Sequence, residues 1–382
     1  MHKKEKYLLL YLKTGGGHLA PAKSIAKVLE QNHNEDIEPV LINGFEETNF
    51  IIKYAIEDGY RNLQAKATWI YETLYALFKI NFIARFYYNL ISFFVKPYLR
   101  KVFKSSKPDK IIIFHFFLIE PVYDVITELN MHLPVITAVT DPYTAHPLWF
   151  FRKEQNFIVF SERLKLDCIK RGINENNINV FPFVLNEKFS SPLDPAEVPG
   201  LKKEMGFAPD KKIILIVGGG DGIPKGYRIL KTLVQKVNNI QIAIVCGKNK
   251  SLIRKVNKLK KSEGLSNITV YGYVDIVYEL LSISDLVITK CGASTFMEIV
   301  MSNKIPIIIS YIWEQEKGNM EFLVNKKMGI YEPDVSKLSG LVDELLNDPN
   351  TYSEYIKNIK SECLQNGNEQ VAEFISNFNT VS

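Results

Sequence analysis

The stretch YLKTGGGHLAPAKSIAKVL, Tyr11 to Leu29, sets three glycines and a histidine between an apolar run and a run with helical spacing. An apolar segment, a glycine turn and a helix-period segment in that order make the opening of a βα unit, the building block of a parallel sheet. Working outward, short β-rich runs appear at YLLLYL, PVLIN, KIIIFHFF and PVITAVT, with helical patterns between them. The rhythm restarts at KKIILIVGGGDG (Lys211–Gly222) and continues through QIAIVCG, ITVYGYV, DLVITKCG and IPIIIS. The expected fold class is α/β: two Rossmann-like doubly wound units in tandem, with ligands at the carboxyl ends of the strands.

The chain of 382 residues is long enough to bury two cores. FPFVLNEKFSSPLDPAEVPG (Phe181–Gly200) is rich in proline and serine and lacks periodicity, so it reads as the interdomain linker. The resulting division is a domain over 1–185, a second over 186–355, and a closing helix over 356–382 that is expected to pack back on the first. A net charge of +5 is mild and gives no nucleic-acid footprint by itself. Cys168, Cys246, Cys291 and Cys363 lie far apart, without zinc spacing or a disulfide pattern, which fits a reduced cytosolic compartment. The N-terminus reads as free of a signal peptide, and no apolar run approaches the ~18 residues of a membrane span.

Gly15, Gly17 and Ala20 match a loose G-x-G-x-x-A, a weak signal of dinucleotide binding. The second strand ends at Asn43, not at an acid that could hold a ribose; Glu35 and Asp36 precede it. The turn also lacks the Lys-Ser/Thr pair of a P-loop. What remains is backbone: Gly15, Gly16 and Gly17 have no side chains to keep a ligand from the N–H groups at the start of the next helix, although a turn that binds nothing has the same look. His18 at the sheet's carboxyl edge is available for proton transfer. VGGGDGIPKG offers a second backbone-lined concavity.

The sharpest signal is ISDLVITKCGASTFMEIVMSNKIPIIISYIWEQEKGN, Ile283 to Asn319. A strand ends at Lys290, a turn of small residues follows, and a helix begins whose first turn can receive phosphate. Glu298 sits one turn into that helix, where a carboxylate can accept from two ribose hydroxyls, although a lone helix acid is more often a surface group. The loop after the next strand carries Gln315, Glu316 and Asn319, groups able to bond sugar hydroxyls.

These residues resemble the GT-B glycosyltransferases of family 28, and most closely the monogalactosyldiacylglycerol synthases and bacterial diacylglycerol glucosyltransferases. The resemblance runs through TGGGH, KIIIFHF, VTDPYTAHPLWF, VGGGDG, YGYV and the 284–319 segment, so it touches most of the chain in order. It implies two Rossmann-like domains facing across a cleft. Glu298 would hold the uridine ribose; Gly219, Gly220, Gly292, Ala293, Ser294 and Thr295 would line the diphosphate; the backbone near Tyr273 and Val274 would read the uracil. Gln315, Glu316 and Asn319 would face the donor sugar. His18, His115 and Asp141 would lie on the acceptor side with Gly16, Gly17 and His146. Lys13, Leu19, Asn186 and the pair Trp313-Glu314 depart from the family pattern, the last standing where relatives have Pro-Gly.

A nucleotide sugar brings its own leaving group, so the chemistry needs one base, an in-line C1 and a cradle for the departing diphosphate. His18 is the expected base, with Asp141 as alternative base or orienting partner. No Asp-x-Asp occurs, so no cofactor and no essential metal are expected. Upstream, Ala67–Lys107 is crowded with aromatics and carries Lys79, Arg85, Lys96, Arg100, Lys101 and Lys104, with Glu72 its only acid. Such a segment suits the headgroup region of an anionic membrane, although many of the same spacings would serve as ordinary core, and the resemblance, whose members contact lipid with this region, favours the membrane reading. The expectation is an inverting transferase that moves galactose or glucose from UDP-galactose or UDP-glucose to diacylglycerol or a related lipid, cytoplasmic and peripheral on the inner face of the cell membrane. Transfer of N-acetylglucosamine to another lipid, a UDP-sugar epimerase of the same fold, and a nucleotide-sugar-binding protein without catalysis are the alternatives. The sugar, repeated addition and oligomeric state stay open at this level.

Overall fold

The structure, a computed structural model, describes residues 3–13, 16–48, 73, 76, 77, 81–237 and 239–379. Thr14, Gly15, Glu72 and Lys79, singled out above, lie outside them. The chain forms two compact units. The first comprises 1–187, Trp313–Gln315 and 366–382; the second comprises Lys188–Ile312 and Glu316–Gln365.

In the first unit β1 (Glu5–Tyr11), β2 (Ile37–Asn43), β3 (Lys110–Ile113), β4 (Val135–Ala138), β5 (Asn156–Val159) and β6 (Ile178–Val180) form one parallel sheet in the order β2-β1-β3-β4-β5-β6. In the second, β7 (Lys212–Ile216), β8 (Ile240–Val245), β9 (Ile268–Tyr271), β10 (Leu286–Lys290), β11 (Ile305–Ser310) and β12 (Ile330–Tyr331) run parallel in the order β12-β11-β10-β7-β8-β9. Both are doubly wound, and strand order reverses between β1 and β3 and between β7 and β10. The sequence runs gave nine of these twelve strands. β5, β6 and β12 were missed: β6 and β12, of three and two residues, are too short for a period to show, whereas β5 is as long as β3, β4 and β9.

The long helix Asn81–Ser106 divides by face. Ala84, Tyr88, Ile91, Val95, Leu99 and Phe103 recur at helical spacing and enter the core beside Leu8, Leu10, Ile111, Ile113 and Trp149. Phe82, Phe86 and Phe93, with 81, 66 and 71% of their surface exposed, lie on the other side. The aromatic segment is therefore core on one face and open on the other. Its cations are partly neutralised, Lys96 and Arg100 by Glu128 and Lys101 by Glu47.

The closing helix Asn368–Asn377 packs against the helix Gly16–Asn32 within the first unit. Buried Lys110 fixes its end: Nζ donates to Ile375 O (2.6 Å), Ser376 O (3.3 Å) and Tyr7 Oη (3.1 Å). A cation on the carbonyl end of a helix is favoured by the macrodipole. Burial nevertheless lowers the Lys110 pKa to about 8. Before this helix the chain passes so close to Pro182 O that a Cβ at Gly367 would collide with it.

Candidate functional site

In the first unit the residues that follow β1, β3 and β4 meet at the carboxyl edge of the sheet. Gly16, Gly17 and His18 begin the helix after β1, and a Cβ at Gly17 would touch nothing within 4 Å. His18 Nδ1 lies 2.9 Å from Phe114 O and 2.7 Å from Thr140 Oγ1. A carbonyl can only accept, so Nδ1 carries the proton and Nε2 keeps its lone pair. Burial outweighs the Phe114 bond and lowers the His18 pKa to about 4. The imidazole is therefore neutral at physiological pH.

His115 packs against it at a tilt, with ring centroids 4.3 Å apart. Its Nδ1 accepts from Phe117 N (3.2 Å), capping the 3₁₀ turn Phe116–Leu118. Burial, with the neighbouring His18 and His146, holds its pKa well below the usual range. His146 does the same work for the turn Pro147–Phe150: Nδ1 accepts from Leu148 N (3.2 Å), the ring stacks on Phe116, and burial brings its pKa to about 3. Both are buried, and both are engaged in local structure.

Asp141 is held at both oxygens. Trp149 Nε1 donates to Oδ2 (2.9 Å) and Gln315 Nε2 donates to Oδ1 (3.1 Å). Thr144 Oγ1 donates to Gln315 O (2.9 Å), which ties Trp313–Gln315 to the same loop of the first unit. Sequence reasoning named Asp141 but missed Thr140 and Trp149. Both stand in the quoted VTDPYTAHPLWF, one beside the aspartate and one eight residues on, and nothing in their spacing reveals the contacts.

In the second unit β7 runs into the turn Gly218–Gly222. Gly222, at φ +75°, brings its Cα so near the next turn that a Cβ would lie 2.7 Å from Cys246 O, while Gly219, at φ +80°, has open space. Lys248 N donates to Gly220 O (2.8 Å), which locks the two turns together. A Cβ at Gly220 would lie 3.8 Å from the ring of Tyr273. Tyr273 is exposed, with Lys248 Nζ 5.5 Å from its ring centroid, and Val274 beside it is half-buried.

Across the order reversal, β10 ends at Lys290 and the helix Ala293–Met301 begins. Its N-cap, Gly292, makes no side-chain cap, so the amides of Ala293, Ser294 and Thr295 open the helix without one. Ser294 Oγ is buried and has no hydrogen-bond partner among the described residues. One turn on along the same face stands Glu298, half-buried, with no bond from a described residue to its carboxyl group. Burial raises its pKa to about 8.

Gln315 and Glu316 share one turn, as expected, whereas Asn319 lies in the helix that follows it. Gln315 lies in the first unit against Asp141. Glu316 is buried in the second unit, its Oε2 accepting from Ile312 N (2.7 Å) and its Oε1 lying 3.6 Å from Lys290 Nζ. Asn319 belongs to the helix Lys317–Asn325; its Nδ2 donates to Cys291 O (3.2 Å), and its buried Oδ1 is without a partner among the described residues. The early helix start follows from packing, since Gly318 and Asn319 are buried in its first turn. Glu314, at φ +54°, takes the left-handed backbone that favours glycine. Among the described residues no group of three His, Cys, Asp or Glu side chains is placed to hold a metal ion, and no helix is long and apolar enough to cross a membrane. The four cysteines are unpaired, and only Cys363 is exposed.

The chain matches two family models: the monogalactosyldiacylglycerol (MGDG) synthase model over residues 18–184, and the glycosyltransferase family 28 C-terminal domain over 213–373. Curated relatives include the processive diacylglycerol beta-glucosyltransferase of Bacillus mycoides, 26% identical over 91% of this chain and 87% of that one. The protein of the same name from Bacillus subtilis is 25% identical over 98% and 96%. Among solved structures, Anabaena Alr3699/HepE in complex with UDP and glucose superposes with a TM-score of 0.60 at 12% identity, covering 98% of this chain and 100% of that one. That likeness establishes the fold, GT-B.

Proposed function

We infer, from a chain that belongs to the family 28 glycosyltransferases, that it transfers a hexose from a UDP-sugar to 1,2-diacylglycerol with inversion at C1. The names of the curated relatives favour glucose as the sugar. One observation carries the reading: at the strand-order reversal of the second unit, Ser294 Oγ, Asn319 Oδ1 and the Glu298 carboxyl group are polar atoms without a protein partner among the described residues, gathered at an uncapped helix start. Buried polar groups are normally satisfied. A nucleoside diphosphate-sugar supplies what this set lacks: ribose hydroxyls for Glu298, a diphosphate for the amides of Ala293–Thr295, and a sugar hydroxyl for Asn319.

In the first unit His18 serves as base. Its Nε2 takes the proton of the acceptor hydroxyl as that oxygen bonds to C1, and the C1–O bond to the diphosphate breaks on the opposite side. The departing charge is met by helix-end amides. Asp141, with both oxygens engaged, is a positioning residue that fixes the loop bearing Thr140, and Thr140 with Phe114 O sets the His18 tautomer. His115 and His146 shape the acceptor side as turn caps. The exposed Phe82, Phe86 and Phe93 beside Arg85 suit contact with the lipid headgroup region, which makes the protein peripheral on the cytoplasmic membrane face.

The test is incubation with labelled UDP-glucose, UDP-galactose and UDP-N-acetylglucosamine in turn, with diacylglycerol vesicles and EDTA, followed by separation of the lipids. Labelled glucosyl-diacylglycerol is expected, with activity surviving EDTA. No labelled lipid from any donor sinks the reading, and conversion of the free UDP-sugar without lipid would replace it with an epimerase.

A further inference from the structure

Between Asp221 and Glu263 the chain carries eleven lysines and arginines and no aspartate or glutamate. The densest part is the helix Lys250–Ser262 of the second unit, KSLIRKVNKLKKS. It buries Leu252, Val256 and Leu259 on one side. Lys250, Arg254, Lys258 and Lys261, all exposed, follow one another at helical spacing on the other, with exposed Lys255 beside them. At 1.5 Å per residue they form a stripe about 16 Å long. None of the five is in an ion pair among the described residues, in contrast to Lys96, Arg100 and Lys101 on the helix Asn81–Ser106. Like charges four residues apart disfavour a helix, so the stripe weakens the element that bears it unless an anionic surface lies against it.

We propose that the outward face of the Lys250–Ser262 helix docks on an anionic lipid bilayer. The inference rests on the lipid-acceptor reading above and adds to it a contact made by the donor unit. The chemistry of the stripe selects the occupant. It presents four ammonium groups and one guanidinium, point charges suited to a diffuse negative surface rather than to planar bidentate recognition. It carries no aromatic residue on which a base of single-stranded nucleic acid could stack. It also lacks an apolar wedge, so the helix adsorbs on headgroups by charge, without insertion, whereas the Phe82, Phe86 and Phe93 face has the rings to penetrate.

The experiment uses the full chain and phosphatidylcholine vesicles made with or without phosphatidylglycerol. Wild-type protein is expected to partition to the anionic vesicles and to be released as salt shortens the screening length. The quadruple variant Lys250→Gln, Arg254→Gln, Lys258→Gln, Lys261→Gln should partition to anionic vesicles at least about 100-fold more weakly. Its thermal unfolding should come no lower than that of wild type, since like-charge repulsion along the helix is removed, and its calorimetric affinity for UDP should match wild type. Equal partition of the two proteins overturns the proposal while leaving the transferase reading intact. A parallel loss of UDP affinity overturns it in favour of a nucleotide-steering role, and a selective loss of binding to a single-stranded oligoribonucleotide overturns it in favour of nucleic acid. A wild-type chain that binds neither vesicle sinks the lipid-acceptor reading along with it.

Discussion

The polar residues of the first unit's sheet edge and those of the second unit's are arranged on opposite principles. At the first, protein atoms already hold the chemistry: His18 Nδ1 by Phe114 and Thr140, Asp141 by Trp149 and Gln315, His115 and His146 by the turns they cap. At the second, Ser294, Glu298 and Asn319 each keep a polar atom without a partner among the described residues. A held set has its geometry fixed in advance, as a proton transfer needs. An unpaired set is stabilised when a ligand arrives, as binding needs, because burying a polar atom without a bond costs roughly 1–3 kcal/mol. On the proposed reading, one edge acts and the other holds.

The strongest way to break that contrast is His18→Ala. If the first edge supplies only the base, the turnover rate should fall by about 10²–10⁴-fold while the calorimetric affinity for UDP stays where it was. A loss of UDP affinity would show that the two edges do not divide the labour. Above pH 4 the wild-type rate should carry no limb from His18, because its folded-state pKa is already about 4. Acidifying through that value protonates Nε2, and activity is then lost.

Next in size is Glu298→Ala. Two hydroxyls donating to a carboxylate are worth roughly 1.5–3 kcal/mol each after exchange with water, so UDP affinity should weaken by about 100-fold or more. Calorimetry reads this directly, and unchanged affinity removes Glu298 from the ribose. Thermal stability should not fall, because the variant discards a desolvated carboxyl group.

The same residue yields a pH dependence of definite sign. Without ligand Glu298 titrates near pH 8, and two donated hydrogen bonds favour its ionised form, so its pKa is lower in the complex. Binding then releases a proton. Affinity for UDP-glucose, whose diphosphate does not titrate in this range, should rise with pH up to about 8 by at most tenfold per unit and level off above it. Glu298→Gln should flatten the curve. A wild-type affinity that falls between pH 6 and 8 contradicts the assignment.

The two edges were also unequally legible. Glycine turns and apolar runs announce where a sheet's carboxyl edge will be, so the turns bearing Gly219, Gly220 and Gly292 and the helix bearing Glu298 could be placed after their strands from spacing. What the sequence hides is contact between distant segments. Gln315 and Glu316 are neighbours in the chain, yet they lie in different units, one on Asp141 and the other on Ile312 N and Lys290. Thr140 and Trp149 are invisible for the same reason, since a hydroxyl or indole earns its role only from what folding brings beside it. The aromatic segment shows the limit of composition: Tyr88 and Phe86 are two residues apart, and only the helical phase separates the buried ring from the exposed one.

The smallest effect tests whether the hold on Asp141 is bought with backbone strain. Glu314 adopts φ +54° immediately before Gln315, whose Nε2 reaches Asp141. A side chain in the left-handed region costs about 1–2 kcal/mol relative to one in its ordinary range, a cost that glycine avoids. Glu314→Gly should therefore raise stability by about 1 kcal/mol against the greater freedom glycine gains in the unfolded chain, read as a modest rise in the denaturation midpoint. Activity should hold if the bend persists without strain. If stability rises while turnover falls, the strained residue is what keeps Gln315 on Asp141, and the first edge is held by its backbone as well as by its hydrogen bonds. If stability falls instead, Glu314 makes contacts worth more than the bend costs, and strain has no part in positioning the loop.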